Sequence, residues 1–496
     1  MPLFKKNILR ASSSSPTPAT GSPPSLAGVP QGRLVHAGIG VNLAQSHTTL
    51  DLDLGALGIQ EPLLRSEEQA KFVFAHFMVG NTYPYTQEDW LEDLKLASEH
   101  DIDGFVLNIG VETWQKDRVI DCFKASEKLP KDVQFTFLFS FDMTSIPGNA
   151  TQDVCHLASY LSSLATHPRM FKHPRSRRVV VSTFSGQDCC FGQSKLEDGW
   201  SYVKRELSAI TPIDLMPAFF VDPAQYPGIR PLDGVFNWNG GWPVHLTPSL
   251  HRREIDHPKL DSDGHHLHHL DNNKSFMAAV SPWFFTHYGP NSWNKNWIYR
   301  GDDWLFVRRW EQLIEMRDRI EFVQVISWND YGESHYIGPI KGAQPNSEAW
   351  VDGYPHEPWL HLNSYFARAF KVGVYPDINK DQIFVWARPH PKDAVANEDV
   401  PRPTNWELTD DLMWIIIFAT TPAIVKISTS NSPKDMRDVD VRAGMTKLSS
   451  PLKVGGGIRV IMTRGGKVVA ECVPVGYRFE ARPGVYNFNA FVAMSE

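Results

Sequence analysis

The stretch FVQVISWNDYGESHY, residues 322–336, begins as a strand and ends as something else. Its first half is a near-continuous run of β-branched and aromatic residues, the composition of a strand buried on both faces of a parallel sheet. The run then gives way to Asn329, Asp330, Glu333 and His335, set between Trp328 and Tyr336. Seven earlier segments share the apolar run and the polar or aromatic ending: KFVFAHFM (71–78), DGFVLNI (103–109), FTFLFSFD (135–142), RVVVSTFSG (178–186), IDLMPAFF (213–220), DGVFNWN (233–239) and SFMAAVSPWFF (275–285). Helical patterns lie between them. In TQEDWLEDLKLASEH (86–100), Thr86 is placed to cap with Asp89 three residues on, and Trp90, Leu91, Leu94 and Ala97 form one apolar face. DDWLFVRRWEQLIEMRD (302–318) reads as another helix. Strand and helix alternating eight times in about 300 residues is the arithmetic of a (β/α)8 TIM barrel. An open doubly wound sheet is the competing architecture. It calls for a Gly-rich nucleotide loop after an early strand, and no stretch has that context.

Outside the barrel the chain changes character twice. Residues 1–66 are rich in Ser, Pro, Gly and Ala and predict a mostly disordered segment. The barrel is expected over 67–375. From 376 to 496, WIIIFATTPAIVKIST, GIRVIMTRGG, KVVAECVPV and YNFNAFVAM are short strands separated by Gly, Pro and Asn turns, which predicts an antiparallel β-sandwich. Its expected role is packing against the barrel, with glucan binding as the lesser alternative.

The 496 residues are 42% hydrophobic and 21% charged, with a net charge of −7, which fits a globular protein and disfavours a partner held by phosphate neutralisation. No uninterrupted apolar window of about 18 residues predicts a membrane span. Five cysteines, at 122, 155, 189, 190 and 472, are too few and too irregular for a disulfide framework and predict free thiols. The N-terminal MPLFKKNILRASSSS lacks the apolar core of a secretory signal, so a cytoplasmic protein, present as a monomer, is the reading from residues alone.

In such barrels reactive groups sit where strands end. Read there, the segments offer His76, Asn108, Asp142, Asn237, Trp238, Trp283, His287, Tyr288, Trp328, Asn329, Asp330, Tyr331 and Glu333. The connecting loops add Trp242, Trp293, Asn294 and Trp297. Aromatic faces suit sugar rings and asparagines suit their hydroxyls, although some of these rings are expected to be packing. Asp330 and Glu333 are three residues apart, and cleavage of a glycosidic bond uses such a pair: an acid for the departing oxygen and a carboxylate for the anomeric side. A surface turn bearing two acids is the alternative. Asp142 is the rival carboxylate, with a hydrogen-bonded structural role expected. DSDGHHLHHLD (261–271) predicts a solvated His-rich loop, and no metal or other cofactor is expected.

FAHFMVGNTYPYTQEDWLEDLKLASEHDIDGFVLNIG, FLFSFDM, SPWFFTHYGPNSWNKNWIYRGDDWLFVRRWEQL, ISWNDYGESHYIGP and FVWARPHP together resemble the fungal α-1,3-glucanases, the mutanases of glycoside hydrolase family 71. The resemblance spans about residues 70–390 and weakens beyond. It implies a (β/α)8 barrel backed by a β-sandwich, internal hydrolysis of the fungal cell-wall polysaccharide α-1,3-glucan, and inversion at the anomeric carbon. It places the catalytic Asp and Glu on Asp330 and Glu333, and we expect Glu333 to be the acid and Asp330 the base. The implied substrate argues for a cell-wall or extracellular location, against the N-terminal reading. A catalytically silent α-glucan-binding protein, or a hydrolase of another glucan linkage, is the alternative.

Overall fold

The computed structural model describes residues 70–496; the segment expected to be disordered over residues 1–66 lies outside them. The eight expected strands form one parallel sheet: β1 Phe72–Met78, β2 Gly104–Ile109, β3 Thr136–Asp142, β4 Val179–Phe184, β5 Ile213–Leu215, β6 Gly234–Asn237, β7 Ser275–Val280 and β8 Phe322–Val325. Their order is β5-β4-β3-β2-β1-β8-β7-β6. Two backbone hydrogen bonds bridge the remaining gap between the β5 and β6 sides, Asp233 N to Leu215 O at 2.9 Å and Phe236 N to Pro217 O at 3.0 Å. The sheet is a nearly closed barrel.

Strand alternation divides the apolar residues between two cores. Phe74, Val106, Leu138, Val180, Met216, Met277 and Phe322 cluster inside the barrel. Val73, Ala75, Phe105, Leu107, Phe137 and Phe139 point the other way, into a layer shared with the helices. That is why the strands read as unbroken apolar runs. Toward the C-terminal strand ends the inward positions turn polar: His76, Asn108, Ser140, Ser182 and Gln324 are all buried. The barrel is therefore plugged with hydrocarbon below and lined with hydrogen-bonding groups above. The helix Gln87–Glu99 starts at the expected Thr86, whose Oγ1 accepts from Asp89 N at 3.2 Å while Asp89 Oδ2 accepts from Thr86 N at 2.8 Å.

The C-terminal region folds as two four-stranded antiparallel sheets. The strands Gln382–Ala387 and Leu412–Ala419 pair in the first sheet. They bury both faces: Ile383, Val385, Ile415 and Ile417 meet the second sheet, while Phe384, Trp386, Trp414, Ile416 and Phe418 join the barrel's helix layer. Tyr365 and Trp359 of the helix Glu357–Val372 reach Phe418 and Trp386, with ring centroids 4.6 and 6.1 Å apart. Barrel and sandwich lie within one compact unit, residues 67–496. The five cysteines are free, and among the described residues no helix is long and apolar enough to cross a membrane.

The His-rich segment departs from expectation. It is a helix, Ser262–His269, not a solvated loop. Asp263 is its anchor: fully buried, it takes Arg309 Nη2 at 2.5 Å and Asn237 Nδ2 at 2.8 Å. Histidine spacing carries no sign of that burial.

Candidate active site

The loop after β8 is held from two sides, by β1 and by Phe285. Trp328 N donates to His76 O of β1 at 2.7 Å, and the Asn329 amide bridges Met78 N and O at 2.7 and 3.1 Å. Phe285 N donates to Glu333 O at 3.1 Å. Within the loop, Ser327 Oγ accepts from Asp330 N at 2.8 Å and Asp330 Oδ1 accepts from Glu333 N at 3.3 Å. Ser334 then turns through the left-handed region, φ 61°, a conformation residues other than glycine and asparagine seldom take, so that Glu333 and His335 come to face one another. A β-carbon on Gly332 would collide with the Tyr288 hydroxyl, so this close approach requires glycine.

The result is a cluster of Asp330, Glu333 and His335, whose nearest ligand atoms all lie within 4.8 Å of one another. His335 is fully buried, with Nε2 3.2 Å from Glu333 Oε2 and Nδ1 3.0 Å from Ser327 Oγ. Lys295 Nζ approaches Glu333 Oε1 at 3.4 Å from the other side. The carboxylate side chains of Asp330 and Glu333 remain 17 and 19% exposed, open to a cleft of about 480 Å³.

These surroundings push the two acids apart. Burial raises Asp330, and the adjacent Glu333 charge raises it further, to about 6. Burial also acts to raise Glu333, but the His335 hydrogen bond and the charges of Lys295 and His335 outweigh it and hold Glu333 down at about 2. At mildly acid pH the pair therefore carries one proton, and Asp330 holds it. That division of protons favours the opposite assignment to the expected one, in which Glu333 is the acid and Asp330 the base. The three clustered groups have the spacing for a cation on geometry alone, but the Lys295 ammonium beside Glu333 opposes a second positive charge.

Asn108, Asp142, Tyr288 and Trp293 line this cleft with the pair. Asp142 also closes a turn, with Oδ1 accepting from Thr144 N at 3.0 Å and Thr144 Oγ1 at 2.6 Å. The other expected contacts lie elsewhere. Trp283, Trp328 and Tyr331 are fully enclosed: Trp283 Nε1 donates to Phe488 O in the sandwich region, Trp328 packs on Phe105, and Tyr331 Oη lies 2.8 Å from both Pro339 O and Lys341 O, with its one proton for either. None offers a face to a sugar, because strand ends in this barrel continue into packed loops. Asn329 spends its amide on β1, and Asn237 on Asp263.

His76 is buried beneath the site, with Nδ1 2.8 Å from Gln324 Nε2 and its ring edge-on to Trp238. Burial and the nearby His335 push its pKa down to about 3, so it is neutral. Trp238 and Trp242 pack around His335, with centroids 6.5 and 5.6 Å away, and Trp238 also lines a separate cavity of about 230 Å³. Trp297 stacks on Phe284. Asn294 is exposed in a turn at φ 55° and does not line the cleft.

His287 belongs to a brace. It contacts Asn296 Oδ1 at 2.8 Å and Glu398 Oε2 at 3.1 Å, and Glu398 also accepts from Tyr486 N. Thr404 pairs with the strand Asn296–Ile298 through Ile298 N to Thr404 O at 3.0 Å and Thr404 N to Asn296 O at 3.1 Å. The hairpin that carries Lys295 is thus tied to the segment following the first sandwich strand. Lys295, Glu112, Trp114 and Gln115 also line the cleft and were missed from sequence. Lys295 stood next to Asn294, already suspected; the other three follow β2 by a few residues, and no spacing rule singles them out.

Comparison with known proteins gives a consistent picture. A model of glycosyl hydrolase family 71 matches residues 69–496. The glucan endo-1,3-alpha-glucosidase agn1 of Schizosaccharomyces pombe is 33% identical over a match spanning 86% of this chain and 94% of that protein. The Mutanase Pc12g07500 of Penicillium rubens is 29% identical, covering 87% and 91%. Among solved structures, the GH99 endo-alpha-mannosidase from Bacteroides thetaiotaomicron aligns with 61% of this chain and 98% of its own at 10% identity, with a TM-score of 0.41, too distant to carry any argument.

Proposed function

The chain belongs to glycosyl hydrolase family 71, and from that premise we propose that it cleaves internal α-1,3-glucosidic bonds of α-1,3-glucan with Asp330 and Glu333 as its catalytic pair. The observation that carries the reading is the pair itself: two carboxyl groups at one cleft, pushed to opposite protonation states by their neighbours. Asp330 is the proton donor to the departing sugar oxygen. Glu333 is the carboxylate that acts on the anomeric side, with His335 and Lys295 keeping it ionised. Relatives named as endo-1,3-alpha-glucosidase and mutanase support the choice of polymer. The test is reducing-sugar release from insoluble α-1,3-glucan. Activity that survives Glu333→Gln in a folded protein overturns the assignment of the pair.

Inversion is the stereochemical outcome the family resemblance implies. In that case Glu333 activates water, and the first sugar released carries a β-configured reducing end. Inverting pairs usually stand about 6.5 to 9.5 Å apart, and retaining pairs about 5 to 5.5 Å. The nearest oxygens here lie within 4.8 Å, a different measure from the separation of the two groups, and retention with Glu333 as nucleophile is the second reading. Proton NMR of the initial product decides: a β-signal that later mutarotates is expected, and an initial α-signal establishes retention.

The brace from the sandwich gives the C-terminal region a part in this chemistry. Lys295 sits on the hairpin held by Glu398, so Glu398→Ala is expected to lower kcat, by up to about 10²-fold if the hairpin shifts by an ångström. The folded variant's kcat on α-1,3-glucan checks it, and an unchanged kcat would show that the hairpin holds its place unaided.

A further inference from the structure

The cleft does not end at the pair. On the side formed by the loops after β1 and β2, Trp114 lines it together with Glu112 and Gln115. Tyr83 packs against Trp114 edge to face, with ring centroids 5.2 Å apart at 88°. Tyr83 is 68% exposed, more than any other Tyr, Trp or Phe among the described residues, and it belongs to none of the apolar cores. At the hairpin side of the same cleft, Trp293 is 53% exposed and packs edge to face on Tyr288. An aromatic ring kept in water while another ring fixes its orientation is poised for a ligand face.

We propose that Tyr83, held by Trp114, is a sugar-stacking platform at an outer subsite. It would carry a glucosyl unit of the same α-1,3-glucan chain away from the bond being cut. This rests on the glucanase reading, which supplies the occupant, and the platform's continuity with the catalytic cleft supplies the place. A glucosyl ring presents axial C–H groups to an aromatic face, and Glu112, which lines the cleft with Trp114, is an acceptor for hydroxyl protons. A glucan cut internally must be held on both sides of the scissile bond. Trp293 at one wall, and Tyr83 packed on Trp114 beyond the other, extend that hold past the cleft. The sequence offered little warning, because NTYPYTQEDW reads as a turn leading into a capped helix.

The test is equilibrium binding of α-1,3-linked glucose oligomers of increasing length to the Glu333→Gln protein, with and without Tyr83→Ala. Affinity is expected to rise with length until the outer subsite fills, and Tyr83→Ala should remove about 3- to 10-fold at that step while changing the shorter oligomers less. Tyr83→Phe, which keeps the ring, should restore most of the loss. In the active enzyme the same substitution should raise KM for long oligomers more than it lowers kcat. Equal losses at every length, no loss at any length, or failure of the Phe variant to recover overturns the platform. Wild-type protein that binds these oligomers through Tyr83 yet releases no reducing sugar would leave the platform standing and overturn the hydrolase reading instead.

Discussion

Replacing Asp330 with asparagine is expected to cut hydrolysis of α-1,3-glucan by about 10²- to 10⁴-fold, while sparing most of the activity on an α-glucoside with an activated leaving group. The reason is the division of protons. Asp330 is raised to about 6 by burial and by the Glu333 charge, so it holds a proton at the pH where Glu333, kept low by His335 and Lys295, has none. A sugar hydroxyl is a poor leaving group and needs that proton; a fluoride or nitrophenolate does not. Glu333→Gln removes the carboxylate that acts on the anomeric side, so both substrates should fail. Rescue of the Glu333 variant and not of the Asp330 variant would restore the opposite assignment. The pH profile adds a second reading. Rate should fall below about pH 2 as Glu333 takes a proton and again above about pH 6 as the pair loses its last one. Those limits belong to the pair as a unit. A pair with its protons reversed gives the same bell, which is why the leaving-group comparison decides.

The fold was legible because the strands are buried on both sides. A run such as KFVFAHFM is mainly apolar on both of its faces, as suits a parallel sheet covered by helices. The WIIIF run was legible for a related reason, since its sheet meets the second sheet on one face and the barrel on the other. The candidate loop stood out by composition: two acids at the end of a buried strand. What the sequence did not carry was the direction of individual rings. Trp283 and Trp293 stand ten residues apart in one loop, and one is sealed under Arg388 while the other is open to water. Nothing in their neighbours separates them, because the path of the loop between them sets which ring turns inward. The same limit applies to the acids. Asp330 and Glu333 are equivalent by spacing, and their roles part only when His335 folds back through Ser334 and Lys295 arrives from a hairpin 38 residues earlier.

Removing one carboxylate at the joint between barrel and sandwich should be the most destabilising single change. Asp302 is fully buried and accepts Arg388 Nη1 and Nη2 at 2.8 Å each and Trp414 Nε1 at 3.1 Å, with Arg300 Nη1 3.8 Å away. Burial acts to raise its pKa, but Arg388 and Arg300 outweigh that and hold it below the ordinary aspartate value. Its contribution is therefore present above the unfolded carboxyl's pKa and is lost as pH falls through the folded one. Asp302→Ala leaves the buried Arg388 guanidinium without its carboxylate, a change that costs about 3 to 5 kcal/mol. A surface control, Asp438→Ala, breaks only the exposed pair with Lys426 and should cost about 1 kcal/mol or less. Urea unfolding followed by tryptophan fluorescence measures both, since Trp283 and Trp414 touch this cluster. Equal midpoints for the two variants would mean that the joint relaxes around the lost charge. The loss should also reach the active site. Arg388 ends the strand from which the chain runs on to Glu398 and Thr404, so a joint that opens releases the brace on the Lys295 hairpin. Activity on α-1,3-glucan should then fall at lower urea than the helical signal of the barrel does. Coincident loss of the two would place the brace and the barrel in a single cooperative unit.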